Sequence, residues 1–350
     1  MTPGLTFTSA ANAYAIQVAA AQCGVAVATA DRRPAFPLTV AGNVEAEWLF
    51  CTEEASLRRA LLGEIRGRFL PARFPLQLLD DKWAFAAWLA EQRGLPAPLR
   101  QWRLDDPVAP FPCLLKARHS WRGSRKLPRG RVCHSRRDLE QALGELMQAG
   151  FEPDWFFLQE WLGDEECSNF AVCGFHDHTE PTRNLSIVLE RLMGSRGELP
   201  NSTLAATVAD AEGLTSVATR VLDALEFKGP YEIEFLVAEG RAWLLEINPR
   251  FWLQHSIFIP FGNGLMKRYL GQETAADRAA AVLPAIVWVD GLALAKSVLR
   301  FDFKLWRTAR AACRERNARL LTWPSVAMAL RVIGRRLWRG PRSRATDAGL

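Results

Sequence analysis

The apolar and polar positions open in a strand–helix–strand rhythm. Leu5-Thr6-Phe7-Thr8 predicts a short strand, Asn12 to Cys23 a helix closed by Gly24, and Val25 to Thr29 a second strand. A further helix is predicted over roughly Glu53 to Ile65, after which Pro71 and Pro75 break the pattern and set a boundary near residue 79. The layout is Rossmann-like, but no GxGxxG follows the first strand, so dinucleotide binding has little support. From Asp80 the rhythm changes. Asp81 to Arg93 is amphipathic through Trp83, Phe85, Trp88 and Leu89, stops at Gly94 and is followed by Pro96 and Pro98. Strand-like runs at Leu99 to Leu104 and Cys113 to Ala117 precede a loop, His119 to Arg131, with two glycines and five basic residues. A helix from Asp138 to Gln148 follows, then strands at Trp155 to Trp161, Phe170 to Phe175 and Leu185 to Leu189, and a helix from Ala211 to Leu225.

The strongest local signal is a hairpin with arms Tyr231 to Val237 and Ala242 to Asn248, joined around Glu239-Gly240. Its period of two puts Glu232 and Glu234 on one face, with Tyr231, Ile233 and Phe235 on the other, and the return arm does the same with Glu246 and Asn248. A register pairing Glu234 with Glu246 places Glu232 opposite Asn248. Like charges opposed in a sheet repel, and a divalent cation removes that cost. An all-oxygen donor set suits Mg²⁺ or Mn²⁺. Solvated glutamates on an exposed face are the other reading of the hairpin alone. Asn248-Pro249-Arg250 then stops the strand and sets a guanidinium two residues beyond the candidate ligands, suited to bidentate contact with phosphate.

Composition and charge narrow the class. The 350 residues are 49% hydrophobic and 23% charged, enough apolar surface for a sizeable core in two or three domains. Seven scattered cysteines with no CxxC pair read as reduced thiols of a cytoplasmic protein. The uncharged stretch from Ser9 to Ala30 makes a poor membrane span and a poor signal peptide, being broken by Asn12, Gln17 and Gln22. The net charge of +6 is uneven: residues 291–350 hold 14 Lys or Arg against 3 Asp or Glu. Only seven lysines occur in the chain, among them Lys82 and Lys116. His176-Asp177-His178 lacks a third ligand at a telling spacing and reads as a solvated turn. His255 either faces substrate or caps the next segment, and the 13 tryptophans fit a core better than a base-stacking platform.

Glu246-Ile247-Asn248-Pro249-Arg250-Phe251-Trp252 resembles the metal-binding signature of the ATP-grasp superfamily of ligases, especially its carboxylate-amine ligase-like branch. The resemblance runs over roughly Asp80 to Gly271. It implies an ATP-grasp α/β fold with a short Rossmann-like N-terminal domain (1–79), an ATP-grasp domain (80–273) of two subdomains hinged near 160, and a basic, mostly helical C-terminal region (274–350). It implies Glu234, Glu246 and Asn248 as metal ligands. Asp81-Lys82-Trp83 and Phe111-Pro112-Cys113-Leu114-Leu115-Lys116 are similar to the segments that bring two lysines to nucleotide phosphates. The loop with Ser120 and Gly123 stands where the family has a phosphate-capping loop, here with fewer glycines and more arginines. Leu158-Gln159-Glu160-Trp161-Leu162-Gly163-Asp164-Glu165-Glu166 resembles the hinge, so that Glu160, Trp161 and Leu162 would meet the adenine edge and either Glu165 or Glu166 the ribose. Arg191 resembles a basic position near the γ-phosphate.

The resemblance implies an enzyme using ATP and Mg²⁺ to activate a small-molecule carboxylate as an acyl phosphate and join it to an amine. Lys116, Arg191 and Arg250 would neutralise the transferring phosphoryl group. Two rival classes are a non-catalytic nucleotide-binding scaffold and a membrane-surface or nucleic-acid binder acting through the tail, where Arg alternates with Phe301, Phe303, Trp306 and Trp323. No specific nucleic-acid signature occurs, and the tail reads either as helices packed on the body or as a helix at an anionic membrane surface.

Overall fold

A computed structural model describes all of the 350 residues except 1, 7–10, 31–38, 41–44, 72–74, 123–124, 129, 164–166, 195–201, 211, 280–282 and 339–350. The chain opens with β1 (Thr2–Thr6), α1 (Ala11–Gln22), β2 (Val25–Thr29), β3 (Thr39–Val40), β4 (Glu45–Phe50), α2 (Glu54–Leu61) and β5 (Arg66–Arg68). The strands form a parallel sheet in the order β3-β2-β1-β4-β5. Parallel neighbours need crossovers, which α1 and α2 provide. The pattern anticipated α1 and β2; it missed β4, whose exposed start hides the period.

Next come α3 (Leu76–Asp80), α4 (Lys82–Glu91), β6 (Gln101–Trp102), β7 (Cys113–Ala117), β8 (Trp121–Arg122), β9 (Arg125–Lys126), β10 (Gly130–Cys133), α5 (Arg136–Gln148) and β11 (Phe156–Glu160). β10-β7-β11-β6 make an antiparallel sheet, backed by α5 through Leu139 and Ala142. Helices α4 and α5 start at side-chain caps. Asp81 accepts hydrogen bonds from the backbone amides of Trp83 and Ala84 (3.0 and 3.2 Å), and Ser135 Oγ accepts from Asp138 N.

The remaining elements are β12 (Ser168–Asp177), β13 (Leu185–Gly194), β14 (Ser202–Val208), α6 (Leu214–Ala224), β15 (Lys228–Ala238), β16 (Arg241–Asn248), α7 (Gly264–Leu270), α8 (Ala275–Ala279), β17 (Ile286–Asp290), α9 (Gly291–Leu299), α10 (Lys304–Glu315), β18 (Arg319–Trp323) and α11 (Val326–Trp338). Seven strands form one sheet in the order β16-β15-β12-β13-β14-β17-β18, antiparallel except for β17 with β18. One face packs α6 through Leu214, Ala218, Val221 and Leu222, and the other meets α1 through Phe251, Trp252, Tyr269 and Trp288.

Of the two readings of the tail, the described residues take the packed one, with a strand added: β18 extends the large sheet, Leu294, Leu305, Ala309 and Ala312 pack on Val287 and Val289, and Val332 of α11 packs on Ala11 and Ala13. One expectation is corrected: His176-Asp177-His178 is not a solvated turn. His176 is buried with Nε2 2.8 Å from Asp223 Oδ1, and Asp177 is fully buried between Arg183 and Lys228. Among the described residues no helix is long and apolar enough to cross a membrane.

Candidate functional site

The β15–β16 hairpin has the expected register. Glu234 opposes Glu246 and Glu232 opposes Asn248, with Glu239 (φ 50°) and Gly240 (φ 70°) supplying the left-handed turn. A bulge after Glu234 leaves Leu245 unopposed and breaks the alternation toward the turn, so the carboxylates cluster at the end of the strands near Arg250. The reverse faces of Tyr231, Ile233 and Phe235 are in the core. The polar face forms one wall of a cleft of about 550 Å³ whose opposite wall is the β10-β7-β11-β6 sheet.

Lys82 and Lys116 come from separate segments to this cleft. Asp81 caps α4 and is paired with Arg118 just past β7 at 2.5 Å, while Lys82 N donates to Arg118 O at 2.8 Å. The first turn of α4 is thereby fastened to the end of the strand that carries Lys116. Lys82 Nζ lies 3.6 Å from Glu246 Oε2 and 3.4 Å from Ser120 Oγ; Lys116 Nζ donates to Gln159 Oε1 at 3.3 Å. Burial lowers the Lys116 pKa, and neighbouring Lys82 adds to the effect while Glu246 opposes it. Such a pair of cations is relieved by a polyanion.

Arg191 reaches across from β13 to Glu234 at 3.2 Å, and Arg250 donates through Nη2 to Asn248 Oδ1 at 3.3 Å. Burial works to lower the pKa of both arginines but is outweighed, for Arg191 chiefly by Glu234 and for Arg250 chiefly by Glu54. Burial pushes the Glu232 carboxyl up to about 8, with Glu234 adding to it, and Asn248 Nδ2 donates to Glu232 Oε2 at 3.0 Å. Among the described residues no three His, Cys, Asp or Glu side chains form a cation site. The donors here are two carboxylates, Glu234 and Glu246, and one amide, each already beside a cationic side chain. Crowded carboxylates and a buried, protonation-prone neighbour make a donor set that fits Mg²⁺, which takes one or two carboxylates and completes its shell with water and phosphate oxygens.

Glu160, Trp161 and Leu162 line the cleft where β11 ends. Glu160 is held by Arg100, its Oε2 accepting from Arg100 N at 3.2 Å. Gly123, Glu165 and Glu166 lie outside the described residues. His255 does not face the cleft: it is buried, Nδ1 is 2.6 Å from Trp252 O, and burial lowers its pKa to about 4.

Sequence reasoning missed the wall supplied by the N-terminal sheet. Glu54, in the first turn of α2, pairs with Arg250 (Oε1 to Nη2 2.7 Å), and Asn12, Thr52, Glu53 and Gln254 also line the cleft. An acid in a helix's first turn ordinarily answers the helix dipole, so nothing in the sequence linked Glu54 to an arginine almost two hundred residues away. Asn12 Oδ1 is buried without a hydrogen-bond partner among the described residues, and Gln254, only 5% exposed, stands on the same wall.

No protein-family model and no curated protein matches the sequence. Solved structures do resemble it. The biotin carboxylase domain of 2-oxoglutarate carboxylase from Hydrogenobacter thermophilus, in complex with MgADP and bicarbonate, aligns at TM-score 0.60 and 14% identity over 81% of this chain and 72% of that one. N5-carboxyaminoimidazole ribonucleotide synthetase from Thermotoga maritima aligns at 0.57 and 15% identity (82% and 80% covered), and L-amino acid ligase from Bacillus licheniformis at 0.54 and 12% (81% and 78%). At this identity the likeness speaks to architecture: the chain is built on the ATP-grasp fold.

Proposed function

We propose that the protein is an ATP- and Mg²⁺-dependent ligase that activates a carboxylate as an acyl phosphate and couples it to an amine. The observation that carries this reading is the convergence, in one cleft, of two lysines, two arginines and the Glu234–Glu246–Asn248 donors, drawn from five separate stretches of chain. Structures of the same architecture include an L-amino acid ligase and a carboxylase domain holding MgADP, which supports the reaction class.

A divalent cation held by Glu234, Glu246 and Asn248 would neutralise phosphate charge. Lys82 and Lys116 bind the nucleotide phosphates from the opposite sheet, and Glu160, Trp161 and Leu162 receive the base. The substrate carboxylate oxygen attacks the γ-phosphorus, the bond to the ADP oxygen breaks, and Arg191 and Arg250 hold the transferring group as its charge spreads. The amine nitrogen then attacks the acyl carbon, phosphate departs, and the nitrogen loses a proton. The amine is assigned to the wall formed by Asn12, Glu53 and Gln254. Asn12 Oδ1 has no hydrogen-bond partner among the described residues, and burial raises the Glu53 pKa against the pull of Arg250. A bound N–H donor satisfies them.

The test is phosphate release from ATP by the purified protein against pools of carboxylates and amines, with and without Mg²⁺. We expect metal-dependent turnover in the wild type and none in Glu246→Gln, with an unchanged thermal melt because Glu246 is partly exposed at the cleft surface. ATP consumption that survives this substitution overturns the metal assignment.

A further inference from the structure

Of the ten large hydrophobic side chains exposed among the described residues, five fall within residues 298–306: Val298, Leu299, Phe301, Phe303 and Trp306. Isolated exposed apolar residues need no explanation, but a contiguous group does. The group sits where α9 turns into α10, and Phe301, at its apex, is 85% exposed.

The backbone there makes the choice of residue stranger. Asp302 N donates to Ser297 O and Phe301 N to Val298 O, each at 3.0 Å, the paired bonds that close a helix when the residue beyond the cap is left-handed. That position belongs to glycine or asparagine. Here it holds phenylalanine at φ 56°, a conformation in which a bulky side chain is strained. Folding therefore gains nothing from Phe301: its ring is in solvent and its backbone disfavoured.

Around the apolar tip stand five exposed cations, Lys296, Arg300, Lys304, Arg307 and Arg310, against the single local acid Asp302. We propose that the α9–α10 turn is a membrane-docking tip that seats its apolar side chains in an anionic phospholipid surface while its cations meet the headgroups. The turn exposes aliphatic Val298 and Leu299 as well as the aromatic rings of Phe301, Phe303 and Trp306. Nucleic acid offers no apolar medium for such chains, whereas a bilayer interface takes apolar and basic groups together. Leu294, Leu305, Ala309, Ala312 and Val332 anchor the described part of the tail on the body, so docking needs no rearrangement of the cleft.

The experiment is co-sedimentation of the full chain with vesicles of phosphatidylcholine and phosphatidylglycerol, against pure phosphatidylcholine. We expect binding to the anionic vesicles alone, lost as salt shortens the Debye length from about 10 Å at 0.1 M to about 3 Å at 1 M. Phe301→Gly removes the ring and relieves the backbone, so vesicle affinity should fall about tenfold while the melting temperature holds or rises. A packing role for Phe301 predicts the opposite change in melting temperature. Three outcomes overturn the proposal: no sedimentation with anionic vesicles at low salt, wild-type affinity in Phe301→Gly, or a lipid-free dimer that this substitution dissociates.

Discussion

Arg250 stands two residues beyond Asn248, where the sequence places a phosphate-gripping guanidinium, and in the folded chain it is already paired with Glu54 of the N-terminal sheet. Arg250 is only partly exposed, so such a partner offsets the cost of drawing its charge out of water. The pair also fixes the guanidinium's direction, leaving Nη2 on Asn248. Lys116 differs. Among the described residues its side-chain hydrogen bond is to a neutral amide, and burial beside Lys82 works against its charge. Under the proposed function Lys116→Ala should therefore weaken ATP by about ten- to a hundredfold and adenosine by less than about threefold, because only the phosphates present charge to the ammonium. Titration calorimetry with both ligands measures this, and equal losses would remove Lys116 from the phosphate site.

At the scale of elements, Asp81 couples local capping to site geometry. Its carboxylate caps α4 and pairs with Arg118, so a single side chain sets both where the helix begins and how Lys82 faces Lys116. The two roles separate by substitution. Asp81→Asn keeps the cap but loses the ion pair, and Asp81→Ala loses both. The alanine variant should be less stable than the asparagine variant by about 1 kcal/mol, the worth of a cap, while both bind ATP more weakly than the wild type. Urea unfolding and calorimetry on the two proteins check the ordering. Equal stabilities would mean that Asp81 serves the ion pair alone.

For the whole molecule, the basic tail completes the large sheet. β18 lies parallel to β17, and α9 and α10 cover Val287, Val289, Leu204 and Ala206. Glu190, beside Arg191 of the cleft, is itself paired with Arg316 of the tail at 2.5 Å. Removing the chain from Gly291 onward would strip an edge strand and uncover this apolar surface, so truncation tests folding, not membrane docking. Gly291→Ala tests the seating directly. A Cβ there would lie 1.8 Å from the backbone oxygen of Pro324, which no side-chain movement can relieve. Glycine to alanine at an open site of ordinary φ stabilises by about 0.4–1 kcal/mol, so the sign of the change is decisive. We expect a clear drop in melting temperature; a rise would unseat the tail from β17.

The sequence by itself determined what is local and periodic. The hairpin arms, their turn at Glu239-Gly240 and the placing of Glu232 with Glu234 and of Glu246 with Asn248 on one face follow from alternation and turn chemistry, whereas the bulge that sets Glu234 opposite Glu246 does not. Lys82 and Lys116 stood out through the scarcity of lysine and through likeness to a known motif. Tertiary structure alone decided what depends on partners far apart in the chain. The Glu54–Arg250 pair, the buried Asn12 and Gln254 on the cleft wall, and the burial of His176 and His255 have no period and no spacing to announce them. The tail shows the same division. Its arginines and aromatics have one composition throughout, yet packing assigns Leu305 and Ala309 to the core and leaves Phe301 in solvent, because burial belongs to the three-dimensional neighbourhood and not to the residue.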